Sequence, residues 1–305
     1  MAYLLGVDLG TSSVKTVLMD HHGKLAAICQ QEYTFDIPRE GWAEQDPVVW
    51  WQAAVATIRG ALAQAAVSPD DIDGVGFSGQ MHGLVPLDRQ GQPVRKAIIW
   101  CDARSVDEVE DIRRLLGNER LGEITCNQIA AGFQTASLLW MKKHEPALYE
   151  KTETVLLPKD YLRYRLTGCL STDVTDAAGT LALNVRQAAW SDELIRTLGL
   201  RRSLYPKIYL PQDFAGEVTA AASAETGLKA GTKVFHGGAD QVMQAIGNGI
   251  IAPGQVSVTI GTGAQVFAPI ASAIYDKQLR AHTFNNFQQD SWYFRLRPCI
   301  PEATE

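Results

Sequence analysis

Leu4-Leu5-Gly6-Val7-Asp8-Leu9-Gly10-Thr11-Ser12-Ser13-Val14-Lys15, close to the start of the chain, decides how the rest is read. An apolar run, Leu4–Val7, enters a Gly-Thr-Ser-Ser turn, and a second run, Val14–Met19, returns from it. Strand, glycine turn, strand is a β-hairpin, and Asp20-His21-His22-Gly23 turns the chain again into a third strand over Lys24–Glu32. A glycine turn lets backbone N–H groups approach a phosphate with no Cβ in the way, and Thr or Ser hydroxyls add donors. Asp8 precedes that turn, where a carboxylate can hold Mg2+ directly or through water. Lys15 is either a phosphate-facing charge or a solvated strand lysine, and a lone hairpin of this kind is equally compatible with no ligand.

A second stretch shifts the balance. Residues 256–265, VSVTIGTGAQ, line up with residues 5–14, LGVDLGTSSV. Two such hairpins can cradle the two ends of one polyphosphate, which makes Gly10, Thr11, Ser12, Lys15, Gly261, Thr262 and Gly263 candidates for phosphate contacts. The repeat implies two homologous domains facing each other. The expected division is residues 1–240 and residues 241–305, the second domain being incomplete. Its uncovered strand edges are expected to drive self-association.

Between the hairpins the chain alternates strand and helix. Asp46 offers a side-chain cap and Pro47 the first helical position of a helix running to about Ala66. Ile72–Phe77, Val85–Leu87 and Ala97–Ile99 read as short strands, and Asp102–Leu116 reads as a charged helix. Residues 134–200 read as mostly helical, interrupted by a strand at Val155–Leu157. Lys233–His236 is a strand leading through Gly237-Gly238-Ala239-Asp240 into a helix to about Gly247. Strands follow at Gln255–Ile260, Ala264–Pro269 and Ser291–Phe294.

Three segments carry side chains suited to a polar ligand. Gly79-Gln80-Met81-His82-Gly83 places an amide, a thioether and an imidazole on one loop, which suits hydrogen bonding to a polyol under an apolar cover. A satisfied structural histidine is the alternative for His82. Trp100-Cys101-Asp102-Ala103-Arg104 can close such a pocket, with Trp100 packing and Asp102 accepting hydroxyls, or it can simply start a helix. Asp240, at a helix start, can take a hydroxyl proton as a base or serve as an N-cap; Gln241 beside it can bind a substrate hydroxyl.

Composition excludes several classes. A net charge of −6 argues against a surface built to grip nucleic acid, and 46% hydrophobic residues supply a sizeable core. Five cysteines without metal-ligand or CxxC spacing read as reduced thiols of a cytoplasmic protein. Residues 241–275 lack Asp, Glu, Lys and Arg, yet their glycines and prolines suit strands and turns better than a membrane helix.

Taken in order, GVDLGTSSVK, GWAEQDPVVWW, GFSGQMHG, IIWCDAR, LLPKDYLRYRLTG, TDAAGT, GGADQ and IGTG resemble the FGGY carbohydrate kinases. The GQMHG loop and the Trp50-Trp51 pair are similar to the branch that acts on xylulose rather than on glycerol. The resemblance implies an α/β fold of ribonuclease-H-like (actin-like ATPase) domains, a sugar-binding domain followed by the start of an ATP-binding one. It implies transfer of the ATP γ-phosphate to a sugar, D-xylulose before other pentuloses or polyols, with Mg2+ as cofactor. Asp240 would be the catalytic base, and Gln80, Met81, His82, Trp100, Asp102 and Gln241 would line the sugar pocket. Asp8 would serve the metal, and Gly10, Thr11, Ser12, Lys15, Gly261, Thr262 and Gly263 the phosphates. Relatives in the family often form homodimers. Cys101 stands where they often carry Asn, and their Gly-rich adenosine loop has no counterpart here. A non-catalytic sugar-binding fragment is the competing expectation; an actin- or chaperone-like ATPase gives the GQMHG loop no use.

Overall fold

The computed structural model describes residues 2–260 and 264–296. Gly261, Thr262 and Gly263, the turn of the second hairpin, lie outside the described residues. In chain order the elements that position the site are β1 (Tyr3–Leu9), β2 (Ser13–Asp20), β3 (Leu25–Glu32), α1 (Pro47–Ala65) and β4 (Ile72–Gly79). Then come α2 (Val106–Leu116), α3 (Gln134–His144), α4 (Pro158–Thr167), α5 (Val174–Ala178), β5 (Phe214–Glu217), β6 (Lys233–Phe235) and β7 (Gly238–Ala239). The described chain ends with α6 (Asp240–Gly247), β8 (Ser257–Ile260), β9 (Ala264–Ile270), β10 (His282–Asn285) and β11 (Trp292–Leu296).

The central sheet runs β5-β6-β4-β1-β2-β3, with β7 also paired to β4. β1 pairs antiparallel with β2 and parallel with β4, so Asp8 lies opposite Lys15 on one side and Ser78 on the other. The two-residue period of a strand sorts the faces. Leu5, Val7 and Leu9 are buried in one core with Trp50, Ile58 and Leu162, residues of α1 and α4. Gly6, Asp8, Lys15, Val17, Met19, Gly76 and Ser78 line an open cleft on the other face.

α1 forms as its ends dictate. The Asp46 side chain accepts the Val48 N–H at 2.9 Å, Pro47 occupies the first turn, and Ala66 closes the helix in the left-handed conformation. The Trp50-Trp51 pair is core: Trp50 Nε1 donates to Gln45 Oε1 at 3.1 Å and Trp51 Nε1 to Glu225 Oε2 at 2.7 Å.

A second, four-stranded antiparallel sheet runs β8-β9-β11-β10. Its Phe267, Phe284 and Tyr293 share a core with Leu121, Ile124 and Val185. Polar clamps reinforce the junction, Asn127 Nδ2 donating to Thr283 O at 2.8 Å and Trp292 Nε1 to Val185 O at 3.0 Å.

Several boundaries differ from expectation. The helix expected from Asp102 begins at Val106, because Asp102 and Arg104 are committed to a buried ion pair. Residues 134–200 hold five short helices with strands at Thr154–Leu156, Ser171–Asp173, Leu183–Asn184 and Ala189–Trp190 between them. Among the described residues no helix is long and apolar enough to cross a membrane.

Candidate active site

Asp240 opens α6 where β7 ends, and it borders two cavities at once. The smaller, about 200 Å³, is lined by Gly10, Thr11, Gln80, Met81, His82, Trp100, Ala130, Ala131, Phe133, Asp240, Gln241, Gln265, His282, Phe284 and Arg295. The larger, about 1120 Å³, is the cleft over the central sheet, and it meets Asp8, Lys15, Asp240, Gln241 and Gln244. The volumes suit different guests, a small polyol in the first and a nucleotide-sized molecule in the second. Asp240 and Gln241 stand in the wall between them.

The smaller pocket is preorganised by a chain of hydrogen bonds. Trp100 Nε1 donates to Thr11 Oγ1 at 2.9 Å. Gln45 Nε2 donates to Thr11 O at 2.7 Å, while its Oε1 accepts from Gln80 Nε2 at 2.9 Å. These bonds tie the first glycine turn to the Gln80 loop, so both walls hold one spacing. His82 has φ 73°, a left-handed backbone that a side chain adopts only where its surroundings enforce it. Its ring is held by Nδ1 against Gly179 O at 2.7 Å and packs on Phe133 with centroids 4.1 Å apart. A carbonyl only accepts, so Nδ1 carries the hydrogen of that bond.

Asp240 has the electrostatics of a base near neutrality. Burial pushes its carboxyl up to about 6; the Arg295 guanidinium and the Gln241 N–H, 2.6 Å from Oδ1, pull the other way, and the Asp8 charge adds to the rise. Gln265 Oε1 and Arg295 Nε are buried without a hydrogen-bond partner among the described residues. Unsatisfied groups lining a polar pocket are what a hydroxylated ligand would complete.

Gln80, Met81, His82, Trp100 and Gln241 therefore meet Asp240 around one pocket, and Asp8 and Lys15 share its neighbouring cleft. Gly10 and Thr11 border the small pocket rather than the cleft, while Ser12 is exposed and borders neither. Asp102 is a correction. Its carboxylate is fully buried, accepts the Ala43 N–H at 2.6 Å and the Arg104 Nε at 2.9 Å, and does not reach the pocket. Arg104 lies over the Trp42 ring at 3.8 Å and ion-pairs with Glu44, so this segment builds wall rather than ligand contacts.

Sequence reading missed the wall supplied by the second sheet: Gln265, His282, Phe284 and Arg295. His282 and Phe284 alternate along β10 with their rings stacked 5.5 Å apart, a period-two signal hidden in a segment that carries no glycine turn. Among the described residues no group of three or more His, Cys, Asp or Glu could hold a metal. Asp8, on the cleft wall, nonetheless fits a Mg2+ that takes one carboxylate and fills its other positions with phosphate oxygens and water.

A profile described as the FGGY family of carbohydrate kinases, N-terminal domain, matches residues 3–247. The xylulose kinase of Bacillus subtilis is 38% identical over 293 residues, covering 96% of this chain and 58% of that protein. The xylulose kinase of Staphylococcus xylosus is 36% identical over 286 residues, 94% of this chain and 59% of its own length. The crystal structure of xylulose kinase from Rhodospirillum rubrum superposes with a TM-score of 0.91 at 28% identity, covering 96% of this chain and 60% of that one. The chain thus spans a little under two thirds of the length of these relatives.

Proposed function

The chain belongs to the FGGY family of carbohydrate kinases, and from that premise we propose that it forms the sugar-binding part of a cytoplasmic kinase passing the ATP γ-phosphate to D-xylulose. The observation that carries this reading is the position of Asp240, with its carboxyl near 6, between a small polar pocket and an open cleft. In the proposed complex the sugar lies among Gln80, His82, Trp100 and Gln241, its terminal hydroxyl toward Asp240. Ionised Asp240 accepts that hydroxyl proton as the oxygen attacks the γ-phosphorus in line, and the bond to the leaving ADP oxygen breaks. Asp8 would hold Mg2+, which neutralises charge on the phosphates, and Lys15 adds a cation on the neighbouring strand. Thr11 and Trp100 keep the sugar and phosphate walls in register and help exclude water.

Calorimetry with D-xylulose and, separately, Mg-ATP tests the reading together with a coupled assay of ADP release. D-xylulose binding is expected, and glycerol should bind more weakly. A chain that neither binds nor phosphorylates D-xylulose overturns the proposal. Sugar binding without nucleotide binding or turnover would instead make it a sugar-binding fragment.

A further inference from the structure

We propose that Thr175 is a positioning residue for Asp240: its hydroxyl links the buried Lys159–Asp173 ion pair to the backbone that presents the base. The inference rests on the reading of Asp240 as base given above. Its starting point is an omission at the head of α6. The N-cap residue there is Ala239, which makes no side-chain cap, so the helix that carries Asp240 lacks an anchor of its own. The anchor comes from another part of the chain. Ala239 N–H donates to Thr175 Oγ1 at 2.9 Å, and the single hydroxyl hydrogen of Thr175 goes to Asp173 Oδ1 at 2.5 Å. A hydroxyl has one hydrogen, and an ionised carboxylate only accepts, so both bond directions are fixed.

Asp173 is itself immobilised. Its Oδ1 accepts the N–H groups of Thr175 at 2.8 Å and Asp176 at 3.3 Å, and its Oδ2 lies 2.6 Å from Lys159 Nζ. Lys159 is fully buried and stands 2.7 Å from Asp160 and 3.2 Å from Asp176. Arg163 joins Asp160 at 3.1 Å. Burial pushes the Asp176 carboxyl well above the ordinary carboxylate range. Moving Lys159 away would leave the buried Asp160 and Asp173 without that cation, so the cluster resists displacement.

Two further contacts show that the segment before Asp240 is seated on this cluster. His236 Nε2 lies 3.1 Å from Ser171 Oγ, two residues before Asp173. At Gly238 an added Cβ would stand 2.9 Å from Thr175 Oγ1, so the backbone approaches the hydroxyl as closely as glycine allows. The TDAAGT and GGADQ motifs thus meet in space, the first supplying the hydroxyl that the second needs.

The test compares Thr175→Val, which keeps the shape and loses the hydroxyl, with Thr175→Ser, which keeps the hydroxyl. Amide hydrogen exchange at Ala239 should quicken at least tenfold in Thr175→Val while Val7 and Phe77 in the central sheet keep their protection; Thr175→Ser should stay within twofold of the parent. In turnover, Thr175→Val should lower kcat at least tenfold with KM for D-xylulose held within threefold, and Thr175→Ser should restore it. Unchanged exchange at Ala239, a Ser variant as impaired as the Val variant, or a lowered melting temperature with kcat intact would each overturn the proposal. Should Thr175→Val not yield folded protein, Thr175→Ala carries the same comparison. A parent chain without turnover counts against the kinase reading alone, because the exchange measurement still decides the role of Thr175.

Discussion

At the scale of single residues, the proposed base Asp240 carries a pH prediction. A base works only when ionised, so phosphorylation should rise with pH through about 6 and level off above it. The sign for stability is opposite. The folded form holds the Asp240 proton more tightly than the ordinary value of 3.8, so the side chain's contribution to stability is largest below 3.8 and is lost as pH climbs to about 6. Asp240→Asn should therefore lower kcat by about a thousandfold or more, the scale of a lost general base with its positioning, and remove the acid limb of the rate profile. Its melting temperature near neutral pH should match or exceed the parent's. An Asn variant that retains turnover and the acid limb would exclude Asp240 as the base. Asp240 could be chosen from sequence because two glycines and a helix start isolate it; Asp102 misled because an acid beside a tryptophan reads the same in a pocket or a buried ion pair. Arg104, two residues on, was the signal that decided between them.

At the scale of elements, the glycine-bearing turns did most to make the fold readable. Strand, glycine turn and strand fixed β1 and β2, and Asp46-Pro47 fixed the start of α1, because these signals act through local backbone geometry. The helices at Asn118–Thr125 and Ala220–Thr226 were missed because each makes only about two turns, too few for a 3.6-residue apolar period to stand out. Gly237 shows what a motif glycine does. It has φ +68°, and a Cβ there would lie 2.0 Å from Phe77 O. Gly237→Ala should cost at least about 2–3 kcal/mol from strain and overlap, read as an earlier midpoint in urea unfolding. The buried ionic cluster gives a second test. Lys159→Met leaves Asp160 and Asp173 short of a cation, and the expected loss is about 3–5 kcal/mol; soluble protein of unchanged stability would show that the cluster is not coupled as described.

For the whole molecule, the second sheet matters as much as the first. The expected division at residue 240 is a proposal about folding units, whereas the pocket itself draws residues from both sides of that position. β8 is an edge strand of the second sheet; its Val258 is 59% exposed, and Val256 just before it 53%. An apolar edge of that kind invites strand pairing with another copy. Light scattering should show mass rising with concentration, and Val258→Lys should lower that slope; concentration-independent mass in the parent would remove the premise.

The small pocket takes Gln80 and His82 from the loop after β4, and His282 and Phe284 from β10. A sugar seated there would rivet two parts of the chain that are remote in sequence and joined by the exposed stretch 251–256. Occupancy should then be felt as slower cutting of that stretch by a broad-specificity protease, since any excursion of the outer sheet would first have to let go of the guest.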